Sequence, residues 1–252
     1  MRVTDWIEEP VDSLLDVGCN VGAWLDDCAH RYPSARLAGV EINPSALLAA
    51  RKRVPAAELH HAGAERLPFP DESFQYVTCV EVLEHLPPEL RPAAFREMRR
   101  VLRPGGRLVL TVPHAGWFAW LDSNNIRLRL PGLYRRLVRR GRRDAGYDAV
   151  GRVVEWHHHF TVPELLRLAG EGWRTVTVRY GGLFIYPLMD WLSWPFYRLG
   201  RGEHPVRRLF ERIAGWDYRC NAGPASYGVL VALERVATAG PPNHPLEQTG
   251  GA

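Results

Sequence analysis

The chain has little lysine and little cysteine. Lys52 is the single lysine in 252 residues, so arginine carries nearly all of the positive charge behind a net charge of +4. The four cysteines, Cys19, Cys28, Cys79 and Cys220, are scattered and show no CxxC spacing. This argues against a disulfide framework and favours reduced thiols in a cytoplasmic protein.

Long apolar runs are also missing. The first ten residues contain no apolar segment of the kind that directs secretion, which supports a cytoplasmic location. The aromatic stretch 183–197 is interrupted by Pro187, Asp190 and Pro195, so it is too broken to span a bilayer. With 46% hydrophobic residues and no internal repeat, the sequence predicts one large α/β domain over 1–236. The Pro- and Gly-containing tail 237–252 is expected to be disordered.

The segment Leu14–Leu25 combines an apolar run, an acid and two glycines before an amphipathic stretch. It predicts a buried strand, a tight loop on whose glycine backbone a ligand can lie directly, and the start of a helix. The spacing lacks both G-x-G-x-x-G and G-x-x-x-x-G-K, so it is not a typical dinucleotide or triphosphate loop. Asp16 would attract an ammonium group, whereas free N–H groups at the helix start suit a carboxylate. A ligand with an amino-acid moiety fits this pair of features.

A second acid is expected at the tip of the next strand. The run Ala35–Val40 predicts that strand, and Glu41 follows it. An acid in this position of a βαβ unit can accept hydrogen bonds from two ribose hydroxyls. Ile42 beside it offers an apolar face for a purine ring.

Three further segments follow in order: His61–Phe74, the strand Gln75–Val80 with Glu81–Leu86 behind it, and Arg99–Pro113. Over residues 11–113 the chain therefore resembles class I S-adenosylmethionine-dependent methyltransferases, of the broad group that includes the ubiquinone-biosynthesis O-methyltransferases. No single motif is specific, but the ordered set is.

The resemblance implies a Rossmann-like, doubly wound, seven-stranded sheet whose last strand is antiparallel, and S-adenosylmethionine as cofactor. It implies that the ribose contacts Glu41 and that adenine lies between Ile42 and the pair Ala64 and Glu65. The methionine part would contact Asp16, Gly18, Cys19 and Gly22, with the backbone of Cys79 and Val80 facing its end. Two departures stand out. Gly63 and Gln75 occupy positions where many relatives carry Asp, and the first departure could weaken adenine recognition.

Two insertions interrupt the expected order of elements. The fifth strand is predicted at Gly106–Val112, a helix at Pro163–Gly170, the sixth strand at Trp173–Tyr180 and the antiparallel seventh at Ser226–Arg235. The insertions, 115–160 and 181–225, leave from the carboxyl-end side of the sheet, where open α/β sheets bind ligands, or from beside it. They predict a helical cap or lid.

The first insertion contains Trp117 and Trp120 and a basic amphipathic stretch over 133–140. Three interpretations remain open. In the first, the insertions form only a structural cap. In the second, they bind a lipid-like or isoprenoid-like acceptor, or the headgroups at the inner face of a membrane; in the third, they recognise a phosphate or a sugar nucleotide.

Methyl transfer depends mainly on positioning, although a hydroxyl acceptor also needs a base. His85, directly after the fourth strand and near Glu81 and Glu84, is the candidate base. His157 and His159 would share one face of an extended segment. No acid or cysteine follows at a metal-site spacing, so no metal is predicted, and Glu81, Trp117, His157 and His159 are expected to contact the substrate. Thr161 is a candidate helix cap.

The predicted activity is O-methylation of a small-molecule, lipid-like or sugar-containing acceptor. A non-catalytic protein that binds S-adenosylmethionine is one alternative, since Gly63 departs from the pattern. A nucleic-acid methyltransferase is another. The segment Val80–Glu84 lacks the Asn/Asp-Pro-Pro-Tyr signature of base-amino methylation, which argues against nucleic acid as partner. The oligomeric state is left open.

Overall fold

The computed structural model describes residues 2–117, 119, 158–183, 185, 188–189, 192–193, 196, 204–217 and 219–236. The seven strands are β1 (Ser13–Val17), β2 (Arg36–Glu41), β3 (Glu58–His61), β4 (Phe74–Val80), β5 (Leu102–Pro113), β6 (Trp173–Gly181) and β7 (Gly228–Arg235). The helices in the described residues are α1 (Ala23–Arg31), α2 (Pro44–Arg53), α3 (Arg91–Val101), α4 (Val162–Ala169) and α5 (Pro205–Asp217).

The strands form one sheet in the order β3-β2-β1-β4-β5-β7-β6. Neighbours from β3 to β5 are parallel, whereas β7 is antiparallel to both β5 and β6. All five residues of β1 are buried because helices cover both faces of a central parallel strand. The predicted doubly wound sheet with an antiparallel last strand is confirmed.

Alternate residues of each strand enter separate cores on the two faces of the sheet. One core combines strand residues such as Leu15, Val77 and Leu110 with Phe95 of α3 and Leu165 of α4. The other core packs Leu14, Leu37 and Tyr76 against Leu25 and Cys28 of α1. Because side chains alternate with a period of two, the face that each polar strand residue occupies follows from its register.

Helix starts differ in how their first N–H groups are satisfied. The Asn43 side chain accepts from the N–H groups of Ser45 and Ala46 before α2. Thr161 and Glu164 form a capping box before α4, so the predicted cap is confirmed. At α1 the cap position is Gly22, which has no side-chain acceptor to offer. The first N–H groups of α1 are therefore available to a ligand.

Several predicted boundaries need correction. β2 includes Glu41 as its last residue, and β5 begins at Leu102 rather than at Gly106. The register between β4 and β5 jumps between the Phe74–Leu102 and Tyr76–Arg107 pairs, so the intervening residues of β5 bulge around Gly105, whose φ is +76°. β7 begins at Gly228 because residues 223–225 form a 3₁₀ turn. α4 ends at Ala169, before the positive φ of Gly170.

α5 lies within the second insertion, 181–225, and the predicted helical cap stays a prediction. Asp217 at the end of this helix is fully buried, and its Oδ2 accepts from the N–H of Leu183 at 2.9 Å. The basic stretch 133–140, Trp120, His157 and the tail 237–252 lie outside the described residues. None of the helices in the described part of the chain is long and apolar enough to cross a membrane.

Candidate functional site

The loop of residues 18–22, called the glycine loop below, turns at the carboxyl edge of the sheet. Gly18 and Gly22 have φ values of +79° and +76°, which L side chains rarely adopt. The N–H groups of Gly18 and Cys19 both donate to the carbonyl oxygen of Val40 at 2.9 Å. The space beside Gly18 was expected to face a ligand. In the structure, a Cβ at Gly18 would instead overlap the Val82 side chain.

Asp16 lies beneath the glycine loop as a buried carboxylate. It is 3% exposed, and burial raises its pKa to about 7, with the nearby Glu41 carboxylate adding to the shift and the Thr78 hydroxyl opposing it. The Thr78 hydroxyl donates to Oδ1 of Asp16 at 2.8 Å and accepts from the indole N–H of Trp24 at 3.1 Å. A raised pKa beside a loop of this kind is typical of a functional carboxylate.

Glu41 joins the glycine loop to α2. One carboxylate oxygen, Oε2, accepts from the N–H of Asn20 at 2.9 Å, and Oε1 accepts from the N–H of Asn43 at 2.7 Å. Each carboxylate oxygen has a second lone pair, so both can still accept from a diol. The structure thus brings Asp16 and Glu41 to adjacent ends of β1 and β2, as predicted.

The segment around Ala64, which is predicted to contact adenine, follows β3 in the chain. Ala64 is buried, and a Cβ at Gly63 would overlap the Glu65 carboxylate, so the glycine makes room for that side chain. The carbonyl oxygen of Ile42 lies 2.8 Å from Nε2 of His61, so the end of β3 contacts the residue that follows β2. The sequence departure at Gly63 therefore has a local structural counterpart in the position of Glu65.

Arg100 of α3 holds the following residues in place. Its guanidinium donates to the carbonyl oxygens of Phe69 at 2.7 Å and Leu67 at 2.9 Å. It also pairs with Glu97 at 2.8 Å, and Glu97 accepts from the N–H of Leu67 at 2.8 Å. This clamp was not foreseen from the sequence.

The chain reverses sharply at the end of β4. The Cys79 thiol is fully buried, and burial raises its pKa well above the ordinary value. Val80 is half-buried, and Glu81 has a φ of +53°, a strained value for a residue with a Cβ. The N–H of Glu81 donates to the carbonyl of Thr111 at 3.0 Å, so the reversal is tied to β5.

His85 lies in a 3₁₀ turn, Leu83–His85, close to the same edge. Its side chain is 57% exposed, and its Nε2 is 3.9 Å from Oε1 of Glu84, whose side chain is buried. The histidine is therefore solvated on one side, with a buried acid behind it.

A second histidine, His114, was not predicted as a site residue. It is 5% exposed, directly follows β5, and its Nδ1 is 3.2 Å from the carbonyl oxygen of Ser226. Because a carbonyl only accepts, the hydrogen is on Nδ1 and the lone pair on Nε2. Burial and the nearby His159 lower the pKa of His114, while the Ser226 carbonyl opposes this shift. Its position after Pro113, at the carboxyl end of the fifth strand, is the signal that could have found it.

His114 belongs to an aromatic group where both insertions leave the sheet. The Tyr180 ring lies 5.0 Å from that of His114, and the rings of His159 and Tyr227 are 5.9 Å apart. Trp117, which follows His114 closely in the chain, is 81% exposed. Of the predicted substrate residues, the structure thus describes Glu81, Trp117 and His159, while His157 lies outside the described residues.

His158 serves a different purpose from its neighbours. Its Nε2 is 2.7 Å from Oε1 of Glu164, the residue that closes the cap of α4.

Among the described residues, no three His, Cys, Asp or Glu side chains are grouped so as to hold a metal ion.

Comparison with known proteins finds methyltransferases similar to the part of the chain that contains β1 to β4. Residues 14–106 match a family described as a methyltransferase domain. Methyltransferase GfsG of Streptomyces halstedii is 37% identical over 123 residues, which cover 43% of this chain and 42% of that protein. Demethylmenaquinone methyltransferase of Listeria welshimeri is 37% identical over 102 residues, covering 38% and 42% of the two chains. The chain thus matches about two fifths of the length of these relatives.

Solved structures extend the likeness to most of the chain, at the level of the fold. A SAM-dependent methyltransferase of Methanosarcina mazei has a TM-score of 0.56 and 20% identity, covering 94% of this chain and 97% of the other. Geranyl diphosphate methyltransferase in complex with GPP and sinefungin has a TM-score of 0.55 and 18% identity, covering 91% and 74%. Together, the comparisons support the predicted class, an S-adenosylmethionine-dependent methyltransferase; the narrower likeness to ubiquinone-biosynthesis enzymes stays a prediction.

Proposed function

We propose that the protein methylates a hydroxyl group of a small, largely apolar acceptor with S-adenosylmethionine as methyl donor. The observation that carries this proposal is the convergence of three features on one edge of the sheet. Asp16 lies under the glycine loop, α1 begins there with an uncapped N-terminus, and Glu41 ends the adjacent strand. These features suit an ammonium, a carboxylate and a ribose diol respectively, which are the polar parts of this cofactor.

The bound cofactor would supply a methyl group already activated on a sulfonium. The chain's own task is then to hold the acceptor in line and to remove its proton. His85 is the base predicted from the sequence. His114 is a second candidate, because the Ser226 carbonyl holds the hydrogen on Nδ1, leaving Nε2 as the basic atom, and burial favours the neutral ring.

Assays with labelled S-adenosylmethionine and fractionated metabolite and lipid extracts test the activity. We expect label in an apolar small-molecule fraction, lost in Asp16→Asn. Once an acceptor is found, His85→Gln and His114→Gln identify the base, since the variant lacking the base should lower kcat with little change in KM. Cofactor binding without transfer to any fraction would favour the non-catalytic alternative. Transfer to RNA or DNA would favour the nucleic-acid alternative.

The acceptor class is supported by the surface of the second insertion. Val206, Leu209, Ile213 and Trp216 recur at helical spacing along one face of α5, and all four side chains are exposed. An apolar stripe open to solvent is typical of a surface that meets lipid or an apolar ligand. The demethylmenaquinone and geranyl diphosphate named for the similar proteins are consistent with an apolar acceptor.

We include in this proposal that α5 contacts the inner face of a membrane, where an apolar acceptor would be held. Sedimentation with vesicles of phosphatidylcholine and phosphatidylglycerol tests it. The variant Leu209→Ser with Trp216→Ser should reduce binding at every salt concentration, because burial of apolar surface is not screened. Leu48→Ser on α2, a similarly exposed leucine outside both insertions in the sequence, is the control. Equal sedimentation of both variants would refute the membrane contact.

A further inference from the structure

Asp16 is held by a short chain of hydrogen bonds that reaches from α1 through β4 to β1. Trp24 Nε1 donates to Thr78 Oγ1 at 3.1 Å, and the Thr78 hydroxyl donates to Asp16 Oδ1 at 2.8 Å. When Asp16 is ionised, the indole N–H donates and the carboxylate accepts, so the Thr78 hydroxyl donates to Asp16; the carbonyl oxygen of Leu15, at 3.4 Å from Thr78 Oγ1, is a longer alternative acceptor. Thr78 is fully buried and directly opposite Asp16 in the β1–β4 register.

We propose that Trp24 and Thr78 are positioning residues that stabilise the ionised form of Asp16 and orient its carboxylate for the ammonium group of the cofactor. This inference rests on the proposed function and concerns two residues to which neither the motifs nor the resemblance assign a role. Thr78 donates to one carboxylate oxygen only, which leaves Oδ2 for the ligand. Hydrogen bonds in such a chain polarise one another, so the indole strengthens the bond from Thr78 to Asp16.

The electrostatic surroundings explain why such support is needed. Burial is the main cause that raises the pKa of Asp16 to about 7, and the Glu41 carboxylate from β2 acts in the same direction. The thiols of Cys19, Cys28 and Cys79 also lie near the carboxylate, and their own pKa values are raised, so they are neutral near pH 7. No described cation is among the causes that shift the pKa of Asp16; the Thr78 hydroxyl is the one group that lowers it.

The sign of the expected pH dependence follows directly. Below its pKa, Asp16 of the free protein carries a proton that must leave before an ammonium can pair with it. With a pKa of about 7, a cationic ligand that needs the ionised form binds about tenfold more weakly at pH 6 than at pH 8. A ligand without the ammonium should show no such change.

Calorimetric titration of the full chain with S-adenosylhomocysteine and with 5′-methylthioadenosine, from pH 6 to pH 8, tests the proposal. Both ligands carry the adenosine part, but the second lacks the amino-acid part. We expect pH dependence for the first ligand only, and none for either in Asp16→Asn. Absence of binding of both ligands to the unmodified protein would overturn the proposed function together with this inference.

Variants separate the hydrogen-bond chain from general effects on the fold. Thr78→Val should weaken S-adenosylhomocysteine by about two- to tenfold at pH 7 and move the midpoint of the pH profile upward, with 5′-methylthioadenosine unchanged. Trp24→Phe should do the same to a smaller extent. Trp24 also lines a cleft of about 410 Å³ beside α1. Phe is chosen because it removes the N–H but keeps an aromatic ring, whereas a residue smaller than Phe would enlarge that cleft further. Thr78→Ser keeps the hydroxyl and should restore the original profile.

Thr111→Val is the matched control. Thr111 is buried on the same face of the sheet as Thr78, and its hydroxyl has no hydrogen-bond partner in the described structure. This variant should leave both affinities and the pH profile unchanged. Identical pH profiles for Thr78→Val and Thr111→Val would overturn the inference, as would parallel losses of both ligands in Thr78→Val.

Discussion

Replacing Glu41 by alanine tests the ribose site and separates ligand binding from stability. In the unliganded structure the Glu41 carboxylate already accepts from the N–H groups of Asn20 and Asn43 at 2.9 and 2.7 Å. A ribose diol would add two further charge-assisted hydrogen bonds. Their loss should weaken S-adenosylmethionine by about 1.5–3 kcal/mol, or roughly 10- to 150-fold in Kd.

The effect on the unliganded protein should be much smaller. Asn20 is exposed and Asn43 is half-buried, so water can replace the carboxylate at both N–H groups. We therefore expect a loss of no more than about 1 kcal/mol in the free energy of unfolding, which lowers Tm by about 2–4 °C. The two measurements should thus differ clearly in magnitude.

Glu41→Gln refines the test. Its amide oxygen can accept from one of the two N–H groups, but its NH₂ must then face the other donor. We expect a Kd close to that of Glu41→Ala despite the similar shape. Isothermal titration gives Kd, and thermal denaturation without ligand gives Tm. Unchanged affinity in both variants would exclude Glu41 from the site, and an equal loss in stability and binding would refute the separation of the two effects.

Three further predictions concern the loop, the clamp and the cap. Gly18→Ala should destabilise the fold by about 1–3 kcal/mol in thermal denaturation, because φ is +79° and the new Cβ meets Val82. Adding Val82→Ala should recover only part of this loss, since it removes the overlap but not the strain of the positive φ. Full recovery would show that the positive φ costs nothing. Arg100→Ala should cost about 1–3 kcal/mol in the same assay, since the carbonyls of Leu67 and Phe69 and the Glu97 carboxylate lose their donor. An unchanged Tm would show that water replaces the Arg100 guanidinium. Replacing the arginines of the first insertion by Gln should leave S-adenosylmethionine affinity intact but reduce binding to anionic vesicles, less so as salt rises; equal sedimentation would leave them as a solvated surface. The arginines to be replaced are Arg135, Arg136, Arg139 and Arg140.

The positions of Asp16 and Glu41 could be predicted because they depend on local pattern. Each acid closes an apolar run, and the carboxyl ends of neighbouring parallel strands meet at one edge of the sheet. The strand order and the antiparallel β7 followed from the resemblance to a known fold. Boundaries were less accurate where a bulge or a 3₁₀ turn replaced regular strand, as at Gly105 and before Gly228.

The partners of these acids could not be predicted, since they depend on register between distant strands. Asp16 and Thr78 lie opposite each other on β1 and β4 and are 62 residues apart in sequence. A one-residue shift in this pairing would turn the Thr78 side chain to the opposite face of the sheet. Sequence pattern identifies which residues end a strand, but not which residue lies opposite.

Gln75, which stands where many relatives carry Asp, makes two hydrogen bonds that explain why glutamine is present. Its side-chain oxygen accepts from the N–H of Asp12 at 2.8 Å, and its Nε2 donates to the carbonyl of Pro10 at 3.2 Å. An aspartate lacks the donor and is one methylene shorter, so it could not make both bonds. The amide at this position ties the entry of β1 to β4, and β1 in turn carries Asp16. A residue that seemed to weaken the resemblance therefore supports the strand on which the proposed cofactor site depends.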